Sequence, residues 1–232
     1  MKIPYLSKKS KYIEINCYTN SRVAYDLFKP KRYSKYLPEW YKECPIKQHG
    51  DAKSCYGILS LMKLSISIPS WTDFYCSTTV GNKKFTPADN ATLVDYHSGD
   101  FASHMDTNTS ASIIKIISPW MLEEASGQQF MLSNNPLVVA GFTIPSGIIN
   151  FKYQHGLNFF VTVLDNTGEF LLNAGVPYWT LTPLNTEKEL IINAEYNPSK
   201  ASELHEKSNH PHFRGSMFKK MMAYKNGGYY KW

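Results

Sequence analysis

The chain has 232 residues, 43% hydrophobic and 19% charged, with 16 Tyr, 12 Phe and 5 Trp, a composition that excludes a disordered chain and suffices for a buried core. Its formal net charge of +6 is concentrated at one end: residues 1 to 50 hold 11 Lys+Arg against 4 Asp+Glu, whereas residues 51 to 232 hold 14 against 15. The four cysteines, Cys17, Cys44, Cys55 and Cys76, form no C-x-x-C pair, so their spacing excludes the common zinc motifs and reads as structural thiols of a reducing compartment.

Residues 11 to 28 read as one or two short strands, because Tyr12, Ile13, Ile15, Cys17 and Val23 bring β-branched and aromatic enrichment. From Lys29 to Pro45 the prolines break any long helix, and a short helical turn at Pro38 to Lys42 is expected, held on the core by Trp40. Between Ile58 and Thr79, Leu64, Ile66 and Ile68 alternate with Ser65 and Ser67, which is strand periodicity. Val80 to Lys84 supply turn residues for a hairpin into Phe85. Further strands are expected at Ile113 to Ile117, Gln128 to Leu132, Phe142 to Phe151, Asn158 to Leu164, Glu169 to Asn173, Tyr178 to Leu181 and Glu189 to Ala194, with Asn166-Thr167-Gly168 as the clearest turn.

Many short strands with no helical pattern between them predict an all-β fold, a β-sandwich of jelly-roll or cupin-like type. Helix is expected only at the C-terminus, at Ser199 to Ser208 and Met217 to Lys225. One domain overall is predicted. Within it, residues 1–50 form a basic N-terminal segment packed on the core, residues 51–195 the jelly-roll-like core, and residues 196–232 a helical segment with an aromatic tail. Trp40, Trp71, Trp120 and Trp179 are expected in the core, each lying in or beside an apolar run. No apolar stretch approaches the length of a membrane span or a signal-peptide core, so neither membrane insertion nor export is expected.

Three groups of motifs, spanning roughly residues 35 to 185, carry a resemblance. The first is Leu37-Pro38-Glu39-Trp40-Tyr41-Lys42. The second is Cys55-Tyr56-Gly57-Ile58 with Met62-Lys63 and Ile68-Pro69-Ser70-Trp71-Thr72-Asp73. The third is Ser118-Pro119-Trp120, Pro136-Leu137, Pro145-Ser146-Gly147-Ile148-Ile149 and Gly175-Val176-Pro177-Tyr178 with Leu181 and Pro183. In this order they resemble a family of proteins of T-even-like marine myoviruses, of cyanophage and pelagiphage type, that has no assigned activity. The chain departs from that pattern at Tyr56 and Val176, where the family carries Pro and Glu. The resemblance implies a phage origin, a location in the virion or the host cytoplasm, and a jelly-roll-like fold; it supplies no catalytic residues.

Two sets of residues are candidates for function. Lys29, Lys31, Arg32 and Lys35 within the basic segment, together with Tyr229, Tyr230 and Trp232 of the tail, are the expected partner-binding residues, other phage structural proteins being the partners. A basic patch can also meet nucleic acid, but none of the nucleic-acid-binding motif signatures is present. The alternative is enzymatic. His104-Met105-Asp106 supplies the His-x-Asp part of the facial triad that holds Fe(II) in jelly-roll oxygenases, with His155 as the distal ligand. Against it, no Arg or Lys follows His155 at the spacing that binds an oxoacid co-substrate, and His104 lies in a polar, turn-like run. The reading favoured is a non-enzymatic accessory protein without cofactor, a virion or assembly component.

Overall fold

The computed structural model describes residues 11–45, 53–79, 82–89, 91–96, 112–138, 142–163, 168–185 and 188–209. In chain order its strands are β1 (Tyr12–Thr19), β2 (Lys31–Arg32), β3 (Ile66–Ile68), β4 (Phe74–Thr79), β5 (Asn82–Pro87), β6 (Val94–Tyr96), β7 (Ser112–Glu123), β8 (Gln129–Asn134), β9 (Gly147–Asn150), β10 (Gly156–Val163), β11 (Glu169–Leu172), β12 (Trp179–Pro183) and β13 (Glu189–Tyr196). The helices are α1 (Arg22–Leu27), α2 (Glu39–Glu43), α3 (Tyr56–Leu64) and α4 (Pro198–Asn209), with a 3-10 turn at Tyr33–Lys35.

Side-chain alternation builds the first sheet. In β1 the residues Ile13, Ile15, Cys17 and Thr19 are buried while Tyr12 and Glu14 face solvent, the pattern of a strand with one face on a core. The sheet runs β10-β7-β1-β13; β1 is antiparallel to β7 and parallel to β13 over its whole length, and β6 pairs with a further stretch of β7. β1 is therefore an inner strand, and among the described residues β13 stands at the edge. A second sheet runs β2-β3-β12-β8-β9, and a third, β11-β4-β5, contains the hairpin expected around Val80 to Lys84, with Thr79 opposite Asn82.

Side chains from all three sheets meet in one core. Phe159 and Trp179 stack at 4.2 Å between ring centroids, and Trp71 lies 6.0 and 5.9 Å from them. Trp71, Trp120 and Trp179 are all buried, as expected. The architecture is the all-β sandwich predicted, jelly-roll-like and curled into a half-barrel. Helix α4 packs across β1, β7 and β10 through Ala201 and Leu204. The predicted helix at 217–225 lies outside the described residues.

Three expectations are corrected. Helix is not confined to the C-terminus. Residues 22 to 27 leave the strand because Ser21 accepts a hydrogen bond from the Ala24 N–H and caps α1, which leaves Val23 57% exposed. The stretch before Ser65 is helical rather than extended: Ile58, Leu61 and Met62 recur at helical spacing and turn inward, while Tyr56 and Leu59 face out. Only Ile66 to Ile68 keep the strand conformation. Finally, α2 forms where expected but Trp40 does not clamp it. A helix this short has one inward face, and Tyr41 takes it, 4% exposed among Tyr33, Met62 and Leu137, while Trp40 lies edge-on to Tyr41 and 52% exposed.

Candidate functional site

The basic segment is pinned to the body of the protein by Tyr33. Its ring is buried, its N–H bonds the Ser65 carbonyl at 2.9 Å, and its hydroxyl donates to Asn135 Oδ1. Asn135 is itself held by the Leu137 N–H and by the Pro177 carbonyl. Just before this anchor, β2 pairs with β3, and among the described residues with no other strand. Pro30 has no N–H to offer a ladder and its ring is buried. After the anchor, the 3-10 turn closes with Tyr36 N–H to Tyr33 O at 3.0 Å and brings Lys35 back beside Lys31 and Arg32.

Opposite this strip lies the edge of β13, and between the two runs an open groove of about 660 Å³ lined by Pro30, Lys31, Arg32, Lys35, Leu190, Ile191 and Ile192. Arg32 spans it. Its Nη2 donates to the Leu190 carbonyl and lies 3.4 Å from Glu189 Oε1. Lys31 Nζ sits 5.2 Å from the centre of the Tyr36 ring, and the Tyr36 hydroxyl donates to the Lys29 carbonyl at 2.6 Å. Burial pushes that phenol up to about 12, so it remains a neutral donor at physiological pH. Lys29 stands beside the groove, 3.7 Å above the Tyr25 ring. Among the described residues no carboxylate pairs with Lys29, Lys31 or Lys35, whereas Arg22 is matched by Asp26 at 2.8 Å.

Three of the four predicted basic residues therefore converge on the groove and the fourth flanks it. Such a site attracts anions by its cations and offers apolar contact through Ile191 and Ile192 of β13. The β13 wall of the groove has no signature in the sequence. Residues 189 to 194 are recognisable as a strand, but their position at a sheet edge depends on the pairing of β1 with both β7 and β13, which no local pattern encodes.

The other candidates fall elsewhere. Tyr229, Tyr230 and Trp232 lie outside the described residues, as do His104 and Asp106. His155 is described, and it is a packing residue between β7 and α4: 7% exposed, with Nδ1 3.0 Å from the Leu122 carbonyl and its backbone N–H donating to Ser208 Oγ at 3.1 Å. Among the described residues there is no group of three His, Cys, Asp or Glu placed to hold a metal, and no helix is long and apolar enough to cross a membrane. Compared with protein-family models and with curated proteins, the chain matches none.

Proposed function

We propose that this protein is a non-enzymatic binding module of a tailed phage, a virion or assembly component that docks other phage proteins through the groove between β2 and β13. The observation that carries the reading is the convergence of Lys31, Arg32 and Lys35 on a groove at a sheet edge, with Lys31 and Lys35 lacking a carboxylate partner among the described residues. The phage assignment is supported by the motif resemblance across residues 35 to 185. The test has two arms. Mass spectrometry of purified virions should find the protein at a fixed copy number, or else phage structural proteins should co-purify with it from infected cells. In either arm, changing Lys29, Lys31 and Lys35 together to Glu should abolish the association; association unchanged by the triple substitution overturns the reading.

A further inference from the structure

We propose that the outer edge of β13, unpaired among the described residues, receives an extended acidic segment of a partner protein as an added strand; this deepens, and rests on, the binding-module reading. The argument starts from the ladder. In a parallel pair, alternate residues direct both backbone groups to one neighbour. Glu189 N–H bonds Lys11 O and Asn197 N–H bonds Thr19 O, each at 3.0 Å, so the odd-numbered residues of β13 address β1. Leu190, Ile192 and Ala194 then direct their N–H and C=O groups to the open side. Arg32 occupies the Leu190 carbonyl. Ile192 and Ala194 have no backbone partner on that side among the described residues.

An unpaired row of this kind is a template for another strand. Many proteins close it with a covering element, but here the facing segment presents Pro30 and the side chains of Lys31 and Lys35 across a groove rather than a pairing backbone. The chemistry of the groove selects the occupant. Two exposed ammonium groups call for carboxylates on the incoming segment, since the local acids are engaged: Glu189 with Arg32 and Asp26 with Arg22. Glu195 lies further along β13, where its carboxylate accepts from Asn197, so the acidic residues of the added strand belong at the Leu190 end. Of the apolar residues lining the groove, Ile191 and Ile192 keep accessible surface and suit apolar side chains on the added strand. A DNA backbone fits poorly: it has no donors for the Ile192 and Ala194 carbonyls, and three lysines without a carboxylate partner among the described residues provide few of the phosphate contacts on which such binding depends.

The probe is a short capped peptide alternating Glu and Val, compared with the same peptide N-methylated at alternate residues and with an oligothymidylate of equal charge. Amide exchange on the full chain should show the Ile192 and Ala194 amides slowed about tenfold or more at saturation, N-methylation should weaken binding about tenfold, and Lys31→Glu with Lys35→Glu should weaken it by a similar factor. If the peptide binds but neither amide slows and N-methylation has no effect, strand addition is wrong while the binding-module reading stands. Tighter binding of the oligothymidylate at equal salt overturns the proposal in favour of nucleic acid. Protection of Ile192 that grows with protein concentration and without peptide overturns it in favour of a second copy of this chain. Charge reversal that alters neither peptide binding nor partner association sinks both readings together.

Discussion

Trp71 and Trp40 both follow a proline in aromatic-rich stretches, yet their surroundings separate them. Trp71 touches Phe74, Phe159 and Trp179 and donates its indole N–H to Thr92 Oγ1 at 2.8 Å. Trp71→Ala should cost about 3 to 5 kcal/mol by leaving a large cavity, whereas Trp40→Ala on the surface of α2 should cost about 0.5 kcal/mol. Urea titration of both variants checks the pair, and equal losses would refute the placement. The cysteines divide in the same way. Cys17 and Cys76 are buried, Cys44 is partly covered and Cys55 is exposed, so a thiol reagent should label Cys55 in the native protein and reach Cys17 and Cys76 only on unfolding. Burial pushes the Cys17 thiol up to about 12 from an ordinary value of 9.0, which the unfolded chain keeps. Above the lower value the unfolded state binds fewer protons, so stability is full below that value and falls as pH rises towards about 12. Replacing Cys17 by Val should flatten that alkaline decline, as read by denaturant midpoints across the pH range.

At the level of elements, spacing within a segment was legible in five of the strands, whereas of the expected strand Phe142 to Phe151 only Gly147–Asn150 pairs as one. The boundaries of β8 and β10 to β13 agree with the apolar runs to within two residues. The segment before Ser65 defeated that reading because Leu64, Ser65, Ile66, Ser67 and Ile68 alternate continuously, although the helix ends inside the run. What ends it is the pairing of Ile66 and Ile68 with Leu181 and Trp179, a contact more than a hundred residues away in the chain. The β7–β8 turn shows a local device that composition does not advertise. Glu124 is 2% exposed, and its carboxylate accepts from the N–H and the hydroxyl of Ser126 and from the Gln128 N–H at 2.7 Å, around Gly127 at φ +82°. Glu124→Ala strands those donors and should destabilise the protein by about 1 to 3 kcal/mol. Thermal melts of Glu124→Ala and Glu124→Gln compare full with partial loss of the acceptors, and Glu124→Gln should retain part of the stability.

For the whole molecule the informative quantity is where charge accumulates. Lys29→Glu, Lys31→Glu and Lys35→Glu together take the formal charge from +6 to 0. So does reversing Lys63, Lys84 and Lys152, which are exposed elsewhere on the molecule. If the groove lysines act as one patch, the first triple should elute markedly earlier from a cation-exchange column than the second, and the gap should close with added salt; coincident elution would show that the lysines act singly. Composition, the N-terminal charge excess and the period-two alternation determined an all-β fold with a basic N-terminal segment, because burial of apolar faces and charge balance are sums over residues and need no partner to be named. That Lys31, Arg32 and Lys35 share a groove with Leu190 to Ile192 was decided only in three dimensions. It follows from β1 inserting between β7 and β13, from β2 joining the opposite sheet, and from Tyr33 anchoring the strip between them. Each of these is a pairing between segments far apart in the chain, and the energy that selects it exists only once both are in place.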